Sequence, residues 1–235
     1  MQDFAEAIRL AFLLVFSGNT DLLEIILLSL RVSLSAVLVA CLLGFPLGAL
    51  LAISRFYGRG TLLVIINALM GLPPVVVGLI VYLNLSRAGP MGSFGLLYTP
   101  TAMIIAQIIL IMPIIAALSR QLIEDLHDEY AEQFKSLSVP RSTAIFALIW
   151  DGRYSLLTVA LAGFGRAIAE VGAVIIVGGN IDHLTRVMTT AIALETSKGD
   201  LPMALALGVV LLFIALAINA AVMSLRQTTG RIPNV

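Results

Sequence analysis

The sequence predicts an all-α integral membrane protein of about five transmembrane helices, on two observations. Of 235 residues, 60% are hydrophobic and only 12% are charged, about half the charged share of an ordinary soluble domain. The charges are also gathered: none occurs between Arg31 and Arg55, Arg59 and Arg87, Arg87 and Arg120, or Asp200 and Arg226. A helix needs about 20 mostly apolar residues to cross a hydrocarbon core about 30 Å thick, and each run is long enough.

Residues 1–20 come first. Phe4, Ile8, Ala11, Phe12 and Val15 recur at helical spacing opposite Asp3, Glu6 and Arg9, which predicts an amphipathic helix over 2–17 lying at the interface. A short sixth span is the alternative. Asp3 and Glu6 beside Arg9 set this stretch apart from a secretory signal, which opens with a positive region. Spans follow over about 24–52, 61–86, 99–119, 154–180 and 202–225, giving a membrane domain over 24–225 and a tail over 226–235. The fourth span is interrupted only by Arg166 and Glu170, which share one helical face and partly neutralise each other. A structural pair is the bland account of them, and contact with cargo the sharper one.

Breakers lie inside the spans: Gly44 with Pro46 in the first, Gly71, Pro73 and Pro74 in the second, Pro113 in the third. They fit kinked helices packed around a pathway, and equally the general abundance of proline and glycine in membrane helices. Ala169 and Ala173 are small enough to allow close helix contact. Asn180, at the end of the fourth span, faces an outer vestibule or caps a helix end. No internal repeat of the kind that builds many secondary transporters is present.

Orientation follows from lysine and arginine in the connections. One face holds Arg55, Arg59, Arg120, Lys135, Arg141, Arg153, Arg226 and Arg231; the other holds Arg9, Arg87, Arg186 and Lys198. The first is therefore cytoplasmic, with the amino terminus outside and the carboxyl terminus inside.

Several functions are excluded or disfavoured. The net charge is zero, so no basic surface points to nucleic acid. Cys41 is the only cysteine, which rules out an intrachain disulfide and a multi-cysteine metal site. No GxxxxGK[ST] loop or HExxH motif occurs, Ser197-Lys198-Gly199 has the wrong order for a phosphate loop, and His127 and His183 fall in separate connections. The chain therefore neither splits ATP by that route nor presents an enzyme's nucleophile and base.

The one sizeable polar stretch is 120–153. Leu122, Leu126, Ala131, Phe134 and Leu137 recur at helical spacing among Glu124, Asp125, Asp128, Glu129, Glu132 and Lys135. Ser138-Val139-Pro140 ends that pattern, and an apolar run from Ala144 to Trp150 follows. This predicts a short helix, a turn and a second helix on the cytoplasmic face. Such a protrusion fits a groove on a partner, or rests on the bilayer.

Glu132-Gln133-Phe134-Lys135-Ser136-Leu137-Ser138-Val139-Pro140-Arg141 resembles the cytoplasmic EAA loop of type I ABC import permeases. There a glutamate, two small residues and a glycine six positions after the glutamate form a coupling helix that docks into an ATPase. This chain has Gln133 and Phe134 for the alanines, Ser138 for the glycine, and Trp150-Asp151 for the closing Leu-Pro. A second register starts at Glu129 and puts Lys135 at the glycine position.

Gly165-Arg166-Ala167-Ile168-Ala169-Glu170-Val171-Gly172-Ala173 and Val177-Gly178-Gly179-Asn180-Ile181 are similar to the molybdate, tungstate and sulfate permease group. So are Leu72-Pro73-Pro74-Val75-Val76-Val77-Gly78 and Ser33-Leu34-Ser35. Thr185 to Asp200 resembles the tungstate branch in particular.

The resemblance implies a type I ABC importer permease fold. It implies a prokaryotic cell membrane, a pathway formed by two copies of the chain, two ATPase subunits and an extracytoplasmic oxyanion-binding protein. ATP and magnesium belong to the ATPase, and no cofactor to this chain. Glu129, Glu132, Lys135, Ser138, Val139, Pro140 and Arg141 are the residues it implies for coupling. Pro73, Pro74, Arg166, Glu170 and Asn180 are the pathway or gate candidates. Molybdate, sulfate or phosphate is the alternative cargo; a stand-alone secondary transporter, a channel or a membrane scaffold is the alternative class.

Overall fold

The computed structural model describes residues 9–10, 12–13 and 20–229. The interfacial helix predicted over 1–20 lies outside the described residues except for Arg9, Leu10, Phe12, Leu13 and Thr20, and the predicted 226–235 tail lies outside them beyond Thr229. The chain forms α1 (Thr20–Ile53), α2 (Arg59–Met70), α3 (Pro74–Leu85), a 3-10 turn (Gly92–Phe94) and α4 (Pro100–Ser136). Then come α5 (Arg141–Asp151), α6 (Arg153–Ile168), α7 (Gly172–Gly178), α8 (Met188–Lys198) and α9 (Leu201–Thr229).

Helices α1 and α4 are the spine. Small residues recur every fourth position along α1, at Ala36, Ala40, Gly44, Gly48 and Ala52, and all are buried. That row forms a groove shallow enough for another backbone to enter. Gly44 lies against Ile115 and Ala116, and Gly48 against Ala116, Ser119 and Arg120. Contacts therefore advance four residues on both helices together, so α1 and α4 run parallel. The buried Ser119 hydroxyl donates to the Ala116 carbonyl at 3.2 Å and reaches the Gly44 carbonyl of α1 at 3.4 Å. Pro46 and Pro113 sit inside these helices without ending them.

Parallel neighbours require a return crossing between them. The chain from Arg59 to Leu85 makes it in two 12-residue helices, each about 18 Å long, bent by 99°. The break falls where Gly71, Pro73 and Pro74 predict one. Pro74 lacks an amide hydrogen and pushes Pro73 out of the helical region, and Pro73 is extended with ψ 125°. The expected kinked span over 61–86 is thus an elbow, neither arm of which crosses alone.

Helix α4 opens on Thr99, whose hydroxyl accepts from the Ala102 amide at 3.4 Å, with Pro100 in the first turn. It then runs 37 residues without interruption. The separate short helix expected after residue 119 is instead the continuation of the span, because charge alone does not stop a helix and no glycine or proline stands between Ser119 and Ser136.

The fourth crossing also departs from a single helix. Helix α5 meets α6 at a bend of 74°, and the predicted 154–180 span breaks over Ala169–Val171 between α6 and α7. The Tyr98 amide, just before α4, donates to the Val177 carbonyl at 3.0 Å, so α7 ends where α4 begins. Helix α9 also starts at that end, where Asp200 and Met203 line a cavity with Asp21 and Glu24 of α1. Within the described residues the chain thus passes between the two ends of the bundle five times: α1, α2–α3, α4, α6–α7 and α9. Among the described residues, only α1, α4 and α9 are unbroken helices long and apolar enough to cross a membrane.

A Cβ on Gly48 would stand 2.7 Å from the Ala116 carbonyl oxygen and 2.9 Å from the Arg120 amide nitrogen. Gly48→Ala is expected to force α1 and α4 apart and cost about 1–3 kcal/mol, read as a lower Tm of the detergent-solubilised protein. Gly60→Ala, where a Cβ meets open space, is the control expected to leave Tm unchanged or raised.

Candidate functional site

At the end of the bundle that carries 120–153, the last turns of α4 project with Asp125, Asp128, Glu129, Glu132 and Lys135 exposed. Their apolar side faces inward, with Ile123 buried among Ala49, Ala52 and Leu148. Phe134 stacks on His127 at 6.1 Å and tilts against Tyr130 at 5.9 Å. The Tyr130 hydroxyl donates to Asp151 at 2.9 Å, tying α4 to α5. A groove of about 480 Å³ opens between the two helices, lined by Phe134, Lys135, Ser138, Val139 and Arg141 among others.

The turn at its tip has a defined closure. The Val139 amide donates to the Phe134 carbonyl at 3.0 Å and the Ser138 amide to the Lys135 carbonyl at 3.1 Å, the paired bonds of a Schellman motif. That motif needs a left-handed residue, usually glycine, at the position Ser138 holds, and Ser138 has φ 49°. Pro140 then opens α5 in an extended conformation. Lys135, the glycine position in the register starting at Glu129, is instead inside α4.

Two residues that the sequence did not single out fasten this region to the bundle. Glu124 accepts from Arg59 at 2.8 Å and pairs with Arg120 one turn before it, while Arg59 Nε donates to the Leu51 carbonyl at 2.9 Å. One carboxylate thereby joins the end of α1, the start of α2 and α4. The Arg120–Glu124 spacing was a visible signal; Arg59, 65 residues away, was not.

Deeper in the bundle, the break between α6 and α7 is built around Glu170, which is 4% exposed. One carboxylate oxygen accepts from Arg166 at 2.8 Å and the other from the Ala173 amide at 3.1 Å, in the first turn of α7. A buried carboxylate is tolerable when both oxygens are occupied and a helix amino terminus faces it. The unwound backbone is served too: Thr189 donates to the Glu170 carbonyl at 2.8 Å, and Gln107 of α4 to the Ala167 carbonyl at 2.9 Å. Ser29 of α1 receives the Met188 amide at 2.7 Å. These groups surround a cavity of about 10 Å³, room for one water, and Gln107 Oε1 is buried there without a protein partner.

The two breaks meet. A Cβ on Gly172 would lie 3.0 Å from Val75 and 3.5 Å from Pro74, and one on Gly78 2.8 Å from Ala173. Pro73, Pro74, Arg166 and Glu170 thus fall in one region. Asn180 does not: it follows α7 at the far end, left-handed at φ 51°, its side chain donating to the Thr190 carbonyl at 3.4 Å. Nearby, His183 pairs with Glu24 at 2.7 Å, and that hydrogen bond, then the charges of Glu24 and Asp182, raises the imidazole above its ordinary pKa.

Two substitutions test this geometry. Glu170→Gln removes the charged acceptor and is expected to cost about 2 kcal/mol, seen as a lowered Tm, whereas Glu132→Gln, exposed at the tip, leaves Tm in place. Ser138→Gly relieves the left-handed strain and is expected to raise stability by about 1 kcal/mol, measured in the same melts.

Residues 44–229 match the profile of the family described as binding-protein-dependent transport system inner membrane component. The chain is 43% identical over 227 residues to the tungstate uptake system permease protein TupB of Peptoclostridium acidaminophilum, covering 97% of this chain and all of that protein. It is 39% identical to a probable anion ABC transporter permease protein of Haloferax volcanii, over 90% of this chain and 94% of that one. A tungstate uptake permease of Campylobacter jejuni is 37% identical over 95% of this chain and 93% of its own length. With its all-helical architecture and several apolar helices, the chain belongs to the binding-protein-dependent transport system inner membrane component family and has the type I ABC permease fold.

Proposed function

We propose that two copies of this chain form the translocation pathway of an ATP-driven oxyanion importer with tungstate as cargo. Near full-length similarity to two tungstate uptake permeases carries the cargo assignment. An extracytoplasmic binding protein delivers the anion. Two ATPase subunits bind ATP and magnesium on the cytoplasmic side, and this chain translocates without hydrolysing anything. The loop end is cytoplasmic, as Arg55, Arg59, Arg120, Lys135, Arg141 and Arg153 gather there, and the amino terminus lies outside.

The 128–141 tip is the ATPase-docking element, with Glu129, Glu132, Lys135, Ser138, Val139, Pro140 and Arg141 as its contacts. The left-handed Ser138 supports the register that starts at Glu132. Displacement of the tip passes along continuous α4, and through Glu124 to Arg59 at the start of α2. It reaches the elbows at 71–73 and 169–171, where unwound backbone lets helical arms rotate. Pro73 and Pro74 shape one elbow; Arg166 and Glu170 brace the other and do not bind cargo, since the carboxylate repels a dianion. Asn180 lies near the outer entrance.

The test is ATP-dependent uptake of tungstate into proteoliposomes holding this chain, its ATPase and its binding protein. Glu132→Lys or Lys135→Glu is expected to lower uptake about tenfold or more with Tm unchanged. Uptake without the ATPase would overturn the importer assignment. A binding protein that holds molybdate, sulfate or phosphate tightly and tungstate not at all would overturn the cargo.

A further inference from the structure

We propose that the outer face of α5 is a membrane-interface anchor, and that the phospholipid headgroup layer at the loop end is its ligand. Every residue from Ala144 to Trp150 is apolar, so these two central turns of α5, between Thr143 and Asp151, are apolar all round rather than along one stripe. Such a stretch needs non-aqueous surroundings on every side. One side has them: Ala144 and Leu148 are buried, and Ile145 and Ile149 pack with Ala52 and Ile123. The other does not: Phe146 is 74% exposed and Trp150 65%, with exposed Ala147 between them. The α4 half of the same loop differs, since every exposed position of α4 from Asp125 to Ser136 is polar and the exposed Leu137 stands alone after them.

Three features assign lipid to this face. Helix α5 is bent 74° from α6, so it lies near the membrane plane while α6 runs through the bilayer. At 11 residues it is about 16 Å long, too short to cross. The exposed strip also continues past Gly152 to Tyr154 and Leu157, 38% and 37% exposed, joining the bilayer-facing surface of α6. Finally, the junction has interfacial chemistry: the Arg153 guanidinium lies 5.0 Å over the Trp150 ring and 4.5 Å over that of Tyr154. Aromatic rings with polar edges settle at headgroup level, and an arginine among them meets lipid phosphate. The loop thus divides its duties, with the α4 tip for protein and the α5 outer face for lipid.

Trp150 is the chain's only tryptophan, so the emission of the full chain reconstituted in phosphatidylcholine–phosphatidylglycerol vesicles reports this position alone. Lipids brominated on acyl carbons close to the headgroup are expected to quench it by about half or more, as for an interfacial aromatic. Lipids brominated near the chain ends should quench less, and aqueous acrylamide little. Quenching by acrylamide without bromolipid quenching would overturn the anchor and place the face in water. Insensitivity to both would overturn it in favour of cover by protein, a second copy included. Strongest quenching by chain-end bromines would overturn the interfacial placement. The measurement needs neither ATPase nor cargo, so it stands apart from the transport assignment.

Discussion

Everything in this molecule is hung from the close, parallel contact of α1 and α4. Association in lipid gains nothing from the hydrophobic effect, so it depends on how many atoms two helices bring within van der Waals range. The row of alanine and glycine from Ala36 to Ala52 brings α4 onto the backbone of α1. Ser29 and Gln107, one from each helix, then present polar groups to the α6–α7 break and to α8. With the spine in place, the chain must cross back between its members, and it does so through Arg59–Leu85, which Pro73 and Pro74 bend into an elbow.

A break in a membrane helix leaves backbone groups unsatisfied, and each must find a partner within the protein. The two breaks here manage this differently. The first relies on proline, which has no amide to satisfy, and on the turn at Gly71, whose amide donates to the Ala68 carbonyl at 3.1 Å. The second has no proline and depends on side chains: Glu170 caps α7, while Thr189 and Gln107 occupy the freed carbonyls. Their adjacency places the least regular backbone of the interior in one region, braced from α1, α4 and α8.

Much of this was legible in the residues. Charge-free runs located four of the five crossings, because burying a charge in hydrocarbon overrides other preferences; the remaining one was legible because Arg166 and Glu170 stand four apart and pair. The Gly71–Pro74 break was legible because its cause is covalent. Of the two accounts open for Pro46 and Pro113, neither residue ends its helix, which fits the general abundance of proline in membrane helices, since one lost hydrogen bond inside a packed helix can be absorbed. The continuity of α4 beyond Ser119 was hidden because polarity marks where lipid ends, which is not where a helix ends. The α1 seam is not legible in the sequence, because alanine is common along the whole chain and masks a four-residue period. The Arg59–Glu124 contact and the clustering around Glu170 are long-range, and no local pattern encodes them. At the candidate site, the turn at Ser138 was recognisable only by likeness to a motif that has glycine there.

The uninterrupted α4 also acts as a beam. It comes close onto the backbone of α1 where Ser119 and Ala116 lie against Gly48. From Ser119 to its last residue, Ser136, is about 25 Å, and from Ser119 back to Gln107 about 18 Å, at the rise of an α-helix. With the fulcrum between them, a tilt that carries the tip one way carries Gln107 the other way by about seven-tenths as much. Gln107 is hydrogen-bonded to the end of α6, so a small see-saw of one rigid helix is felt directly at the second elbow, with no chain of side-chain rearrangements in between.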